Sequence, residues 1–377
     1  MAHTVGPIST PPVRPAATSA QVRDSRSATR RVMERVGGRV PGLAVALVIA
    51  AVATVAGTEV PVVGGPVFGI VLGALVATVF HPGKTVRPGL AFASKPVLQA
   101  SIVVLGATLS LGQVADVGGS SLPVMLGTLA VALLGAYGLG RLLNVRGDAQ
   151  LLIGVGTAIC GASAIAATQA VIKAKESQVA YAIGTIFTFN IVAVLAFPQL
   201  GHLMGLDPHA FGLWAGTAIN DTSSVVAAGY AYGGDAGPYS VVVKLTRSLM
   251  LIPIVMVLAF WVAHRQARAE DPSTARTGGG TGFSLRTLPW TKIVPLFLVG
   301  FVAASALTSI GIIPEPWHPA LTFTGTFLIT TALAGIGLSM RLADVRAAGV
   351  RPLLLGAGLW VLVGASSLGI QALTGTL

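Results

Sequence analysis

Long apolar stretches dominate the sequence and limit the folds that are open to it. About nine of them run without interruption, near residues 41–58, 62–80, 94–111, 121–141, 178–198, 239–262, 289–311, 319–339 and 352–373. Stretches of about 18 to 24 apolar residues are long enough to cross a hydrocarbon core about 30 Å thick as helices. The sequence therefore predicts an all-α, polytopic membrane protein with about nine full spans.

The low content of charged residues supports a membrane protein. Only 10% of the 377 residues are charged and 53% are hydrophobic, whereas a soluble domain carries about 25% charged residues. The formal net charge is +11, but the basic residues lie mostly in the N-terminal tail and in a few loops. That distribution is typical of membrane topology, so we expect no nucleic-acid partner.

The distribution of basic residues predicts the orientation. Residues 1–39 are rich in Pro, Ser, Thr and Arg, which is typical of a disordered cytoplasmic tail, and residues 40–375 form the predicted transmembrane transporter domain. Basic loops remain in the cytoplasm, so the N-terminus and Lys84, Arg87 and Lys95 are predicted inside. The stretch 112–120 has no Lys or Arg and is predicted outside. We expect a multi-pass protein of the bacterial inner membrane.

Two further apolar segments, 149–173 and 208–232, are interrupted by Gly, Ser, Thr, Asn and Asp. Each segment could form a re-entrant hairpin or a full crossing with an unwound centre. Hairpins place Lys173 and Lys175 inside and the stretch 199–210, which lacks basic residues, outside, as the distribution of charge favours. Full crossings remain open.

Internal repeats also favour hairpins. Residues 156–163 (GTAICGAS) are matched by 216–223 (GTAINDTS), and residues 104–117 share a shorter pattern with 334–345. One full span, 178–198, separates the two interrupted segments, so hairpins would enter from opposite faces of the membrane. Both pairs of sequences would then be inverted repeats, an arrangement typical of secondary transporters.

The interruptions are the predicted site. Backbone groups cannot remain unpaired in lipid, so a helix that breaks at mid-depth must face protein or a water-filled cavity. The free amides and positive dipole at the start of the following half-helix suit an anion. The predicted substrate-binding residues are Gly161, Ser163, Asn190, Asn220, Thr222, Ser223, Lys244 and Arg247.

Asp221 is the sharpest single candidate, because an ionisable group deep in a membrane segment is usually functional. It could bind a coupling proton or sodium ion, with Asn220 as a carbonyl ligand, or it could cap the second half-helix. Lys244 and Arg247 share a helix face and could attract an anion, counter Asp221, or extend toward the membrane interface. Asn190 could be a cavity ligand or make an interhelical hydrogen bond.

The two repeated motifs, 156–167 and 216–228, resemble the YeiH family of bacterial inner-membrane proteins, which carry the label of sulfate exporters. That family is similar to the larger group of cation–proton antiporters and anion transporters, which includes the bile-acid sodium symporters. The resemblance implies inverted repeats, a core domain around two broken helices that cross at mid-membrane, and a panel domain beside it. In the related folds the crossing helices usually span fully.

Together these observations predict a secondary transporter that exports a small anion, with sulfate as the first candidate, by alternating access with proton or sodium coupling. No HExxH, Walker or GxSxG motif is present, so we expect no enzyme, no metal site and no cofactor. The expected partners are the anion and the lipid bilayer, and a homodimer is left open. A cation–proton antiporter and a non-transporting sensor or scaffold are the alternatives.

Overall fold

A computed structural model describes residues 37–59, 64–80, 83, 85–269, 295–339 and 350–377, and all regular structure within them is helical. The helices are α1 Val40–Glu59, α2 Gly64–Phe80, α3 Arg87–Gly106, α4 Leu111–Leu142, α5 Asp148–Ala158, α6 Ala162–Ile172, α7 Glu176–Leu203, α8 Pro208–Ala218, α9 Thr222–Tyr232, α10 Ala236–Leu249, α11 Leu251–Ala269, α12 Leu296–Ser309, α13 His318–Ser339 and α14 Val350–Thr374.

Seven helical segments are long and apolar enough to cross a membrane. They are α1, α3, α4, α7, α10 with the start of α11, α13 with the short turn before it, and α14. The apolar helices α2 and α12 are shorter, and α12 is described only from its start at Leu296. The all-α, polytopic prediction is confirmed, whereas the count of nine full spans stays a prediction.

The described helices form two groups. α1, α2, α3, α12 and α13 pack on one another, and we call this group the panel. α4 to α11 and α14 form the second group, which we call the core. Packing within the panel is close, since a Cβ atom added at Gly73 of α2 would lie 2.5 Å from the carbonyl oxygen of Ala334 on α13. The helices therefore pack mainly within the panel or within the core.

The segment 208–232 is a hairpin. Its arms are α8 and α9, and the rings of Phe211 and Tyr232 stack with centroids 3.8 Å apart at the two ends. A Cβ atom added at Gly234 would lie 3.0 Å from the side chain of Pro208, so the chain leaves the hairpin where it entered. The segment does not cross from one side of the core to the other.

The segment 149–173 reverses direction in the same way. A Cβ atom added at Gly156, near the end of α5, would lie 3.1 Å from the Ile165 side chain in the first turns of α6. Val145 before α5 and Ala174 after α6 belong to one hydrophobic cluster. The hairpin alternative is therefore the arrangement observed for both segments.

The helix α7 places the two hairpins at opposite ends of the core. It has 28 residues, which corresponds to about 42 Å. Residues 173–175 connect the first hairpin to the start of α7, and residues 204–207 connect the end of α7 to the second hairpin. The hairpins therefore enter from opposite ends of a helix that is long enough to cross the bilayer, as the inverted repeats predict.

Two predicted boundaries are wrong. α4 begins at Leu111 rather than near 121, because Ser110 and Gln113 form a reciprocal capping box that starts the helix there. The stretch 112–120 is thus helical and is not a loop. α3 begins at Arg87, and Lys95 lies inside this helix rather than in a loop, because a π turn at Ala93–Val97 accommodates Pro96.

Residues 1–36, most of the loop 263–288, and Lys84 lie outside the described residues.

Candidate functional site

The turns at the tips of the two hairpins meet inside the core. The first tip is Ile159–Gly161 and the second is Ile219–Asp221. The ammonium group of Lys244 donates hydrogen bonds to the carbonyl oxygens of Ile159 at 2.8 Å and Ile219 at 2.7 Å, and so it joins the two tips. A Cβ atom added at Gly161 would lie 3.6 Å from the Cβ atom of Asp221. The structure thus brings the two repeated motifs into direct contact.

Lys244 and Arg247 hold the carbonyl ends of the half-helices. Both side chains are fully buried, so the alternative in which they extend to the membrane interface is wrong. Arg247 donates from Nε to Ala158 O at 2.7 Å and from Nη2 to Thr157 O at 3.2 Å. Cations at helix C-termini are favourable because the carbonyl end of the helix dipole is negative. Neither side chain lines the cavity described below, although both were predicted to bind substrate.

Asp221 caps the second half-helix α9, as one of the two alternatives predicted. Its carboxylate accepts a hydrogen bond from the backbone N–H of Ser223 at 3.0 Å and another from the Ser223 hydroxyl. The positive end of α9 therefore already faces a carboxylate that belongs to the protein.

The first half-helix α6 has no such cap. Its N-cap residue is Gly161, with φ at 66°, which has no side chain that could cap the helix. This left-handed backbone conformation explains the glycine, since a Cβ atom would be strained there. The first amides of a helix have no partners within the helix. The N-terminus of α6 is therefore a set of donors without a side-chain acceptor.

Asn190 adds a further donor from the middle of α7. Its Oδ1 atom accepts a hydrogen bond from the backbone N–H of Asp221 at 3.3 Å. This contact fixes the orientation of the amide, and Nδ2 is then buried with no hydrogen-bond partner. Both predicted roles of Asn190 have support in the geometry, because it bonds across helices with one atom and lines a cavity with a free donor.

A cavity of about 800 Å³ lies between the core and the panel. Its core wall carries the predicted residues Ser163, Asn190, Asp221, Thr222 and Ser223, together with Ala162 and Ser224. Gly161 and Asn220 lie at the tips behind this wall and do not line the cavity. The structure therefore gathers five of the predicted positions on one surface and places the other four behind it.

Within the described residues, the cavity extends toward one end of the molecule. Ala91 near the start of α3, Ala180 near the start of α7, Pro295 before α12 and Ser339 at the end of α13 line its outer part. At the other end the core and panel are in contact, since Val226 of α9 and Leu245 of α10 share an apolar cluster with Phe301 of α12. Within the described residues, the cavity thus reaches the tips from one side.

Sequence reasoning missed the part of the site on the panel. Ser94, Lys95 and Gln99 of α3 line the cavity opposite the hairpin tips. We treated Lys95 only as a topological charge, because it stands near the predicted helix start and beside Pro96. A signal was present in the sequence, since a Lys-Pro pair inside an otherwise apolar span is costly in a membrane.

The comparisons with known proteins agree with the membrane architecture. The family described as conserved hypothetical protein 698 matches residues 41–356. A UPF0324 membrane protein of Streptococcus pyogenes serotype M3 is 41% identical over 317 residues, covering 82% of this chain and 90% of the relative. One from Streptococcus agalactiae serotype V is 40% identical over 330 residues, covering 85% and 93%. One from Fusobacterium nucleatum is 37% identical over 337 residues, covering 84% and 92%.

These relatives align along nearly their full length and are named as membrane proteins, in agreement with the helices described above. Both hairpins and the whole described cavity fall inside the matched range. The chain therefore belongs to the UPF0324 (YeiH) family of multi-pass membrane proteins.

Proposed function

We propose that the protein is a secondary transporter of a small anion, in which the hairpin tips bind the anion and Asp221 carries the coupling ion. The observation that carries the proposal is the free Nδ2 donor of Asn190, which is buried in the cavity wall that also carries the start of α6. Amide donors and a positive helix end are the usual ligands of anions. A buried donor without a partner is costly unless a ligand satisfies it.

Charge on the tips supports an anion rather than a neutral substrate. The negative carbonyl ends of α5 and α8 point to Lys244 and Arg247 on one side of the crossing. The amide ends of α6 and α9 point to the cavity on the other side. The end of α9 is capped by Asp221, so the dipole of α6 is the one that contributes positive potential at the core wall without such a cap.

Asp221 is suited to couple anion binding to a proton or sodium ion. Its carboxylate lies beside the N-terminus of α6, so its charge would repel an anion bound there. Two like charges about 6 Å apart at an effective dielectric constant of about 20 repel each other by about 3 kcal/mol. Protonation of Asp221, or sodium binding to it, removes this repulsion and raises the affinity for the anion about 100-fold. Anion and coupling ion would then move together.

Alternating access fits the division of the helices into two groups. Movement of the core against the panel would close the open end of the cavity and break the contact between Val226, Leu245 and Phe301 at the other end. The distribution of basic residues favours a cytoplasmic position for this end of the cavity, from which an exporter would load its anion. Export is the proposed direction, with sulfate as the first anion to test.

Flux through proteoliposomes tests the proposal. Labelled sulfate, and then a panel of small anions, is trapped inside vesicles that contain the wild type or Asp221→Asn. We expect wild-type flux of at least one anion that changes with an imposed proton or sodium gradient, and Asp221→Asn flux that does not. Asn also caps helices well, so the variant keeps the cap. No flux of any anion tested would remove the proposal.

A cation–proton antiporter is the second candidate, and one observation favours it. The Oδ1 atom of Asn220 is buried without a hydrogen-bond partner next to Asp221, as a cation ligand would be. Among the described residues, no three His, Cys, Asp or Glu side chains gather as a transition-metal site requires, so the cation would be sodium or potassium. A sodium- or potassium-driven pH change in the same vesicles, without any anion flux, would favour this candidate.

A further inference from the structure

A π turn interrupts α3 where this panel helix faces the hairpin tips. It spans Ala93–Val97, contains Pro96, and lies within a helix that continues to Gly106. Such turns are rare and often occur at functional sites. The turn is held in place from behind, because a Cβ atom added at Gly335 of α13 would lie 2.9 Å from the Cβ atom of Ala93. The panel wall at this point is therefore irregular but firmly packed.

The turn exposes a lysine to the cavity. Of the described cavity-lining residues, only Lys95 on the panel and Asp221 on the core are charged. The carboxylate of Asp221 is bonded to Ser223, whereas Lys95 is exposed and makes no salt bridge to a described residue. The Ser94 hydroxyl donates to Leu90 O at 2.7 Å, so it is committed to the helix. Gln99 lines the cavity one turn further along the helix.

Lys95 lies across the cavity from the hairpin tips. Ile102, on the same face of α3, also lines the cavity and belongs to the apolar cluster that contains Val226 in the second turn of α9. Seven residues separate Lys95 from Ile102, which is about 10 Å along the helix. Lys95 is therefore on the open side of this apolar contact, on the wall opposite the donors at the tips.

We propose that Lys95, with Gln99 beside it, is an anion subsite on the panel, across the cavity from the hairpin tips. This inference extends the proposed function. The ligand is the same small anion, and the subsite belongs to the group of helices that moves against the core. Anions are then concentrated in the cavity, and cations are excluded from it, whatever the identity of the transported anion.

The chain contains a built-in reporter for this subsite. Cys160 is the only cysteine in the sequence and lines the cavity at the first hairpin tip. Its thiol can be modified by methanethiosulfonate reagents of similar size that carry either a negative sulfonate or a positive ammonium group. The ratio of the two rates measures the potential along the path to the tips and requires no transported substrate.

The experiment compares this ratio in vesicles whose open cavity end faces the reagent. We expect the negative reagent to be favoured in the wild type. Lys95→Gln removes one positive charge about 10 Å from the path of the reagents, and it should lower the ratio of the negative to the positive rate about 4- to 10-fold at low salt. Lys95→Glu changes the charge by two units and should lower the ratio by about the square of that factor. Lys95→Arg should retain the ratio. Lys175→Gln is the matched control, because Lys175 is exposed at the same end but does not line the cavity.

Two outcomes would overturn the proposal. The first is that the ratio of the two rates stays the same in Lys95→Gln and in Lys95→Glu. The second is that Lys175→Gln changes the ratio as much as Lys95→Gln does, which would indicate a general surface potential. If Cys160, which is only 6% exposed, reacts too slowly, the same rates are measured with Ser163→Cys in a Cys160→Ala background, since Ser163 is exposed in the cavity. A normal ratio change without anion flux would reject the proposed transport and retain the subsite.

Discussion

At the scale of single residues, the site consists of buried polar groups, some of which are bonded to the hairpin tips while others, such as Asn190 Nδ2 and Arg247 Nη1, have no partner among the described residues. Lys244 and Arg247 bond to carbonyl oxygens of the hairpin tips, and the Nδ2 atom of Asn190 has no partner. Polar groups in a membrane interior must be paired at nearly every position. The unpaired donor therefore marks where a ligand would bind.

Substitution of Asn190 by Asp tests this donor. The carboxylate has nearly the shape of the amide and can still accept from the N–H of Asp221, but it replaces the free donor with a negative charge. We expect the KM for anion flux to rise at least 10-fold, because a donor is lost and a repulsive charge is gained. The melting temperature of the variant serves as the control for folding. An unchanged KM would show that Asn190 does not touch the anion.

Lys244 is expected to stabilise the fold. Lys244→Met keeps the length of the side chain but leaves the carbonyl oxygens of Ile159 and Ile219 without their donor. Hydrogen bonds to a charged group contribute about 1.5 to 3 kcal/mol each, so we expect a loss of about 3 kcal/mol in the free energy of unfolding. Denaturation of the purified protein in detergent measures it.

The exposed Lys175→Gln is the comparison for Lys244→Met, with an expected change within about 0.5 kcal/mol. Equal effects of the two substitutions would contradict a structural role for the ammonium group of Lys244.

At the scale of elements, the hairpins depend on the backbone at their tips. The first tip turns at Gly161 with φ at 66°, and the second turns at Asp221, which caps α9. Both turns could be predicted from the sequence, because glycine and capping residues interrupt apolar runs at matching positions of the two motifs. The choice between hairpins and crossings required contacts such as that between Phe211 and Tyr232, which no local pattern contains.

Tertiary contacts also explain what could not be predicted. Lys244 and Arg247 were recognised as unusual, but their partners are backbone carbonyls of residues more than 20 positions away in sequence, and these have no side-chain signature. The start of α3 was misplaced because Lys95 and Pro96 are typical of a helix end, whereas packing against Gly335 allows the helix to continue through a π turn. The panel half of the cavity was therefore missed.

Replacement of Gly161 by Ala tests the first tip. The left-handed conformation costs a residue with a Cβ atom about 1 to 2 kcal/mol, and the new Cβ atom would lie 3.2 Å from the Ile186 side chain. We expect a loss of about 2 kcal/mol in the free energy of unfolding and weaker anion binding at α6. Gly369→Ala is the matched control, because Gly369 lies within α14 and a Cβ atom there meets nothing within 4 Å.

The control should be neutral or stabilising by up to about 1 kcal/mol, since Ala favours helix over Gly. A Gly161→Ala variant as stable as Gly369→Ala would show that the tip does not have the described backbone conformation.

At the scale of the whole molecule, the two hairpins enter the core from opposite ends and meet halfway along α7. The entrance and exit of each hairpin must therefore face the same side of the membrane. Arg146 and Lys175 flank the first hairpin, Met204 and Asp235 flank the second, and all four residues are exposed. Full crossings would instead place Arg146 and Lys175 on opposite sides.

Single cysteines at these four positions, in a Cys160→Ala background, test the topology. A membrane-impermeant maleimide added to oriented vesicles should label positions 146 and 175 from one side and positions 204 and 235 from the other. Labelling of positions 146 and 175 from opposite sides would contradict the first hairpin and the inverted repeat.

Protection of a thiol by an anion tests the central claim most directly, because it asks whether anions bind where the tips converge. In the Cys160→Ala, Ser163→Cys variant, neutral N-ethylmaleimide should modify the thiol on the cavity wall. We expect sulfate, phosphate or acetate to slow this modification in a saturable way, and we expect Asn190→Asp to abolish the protection. Rapid modification that none of these anions changes would contradict an anion site at the crossing of the two hairpins.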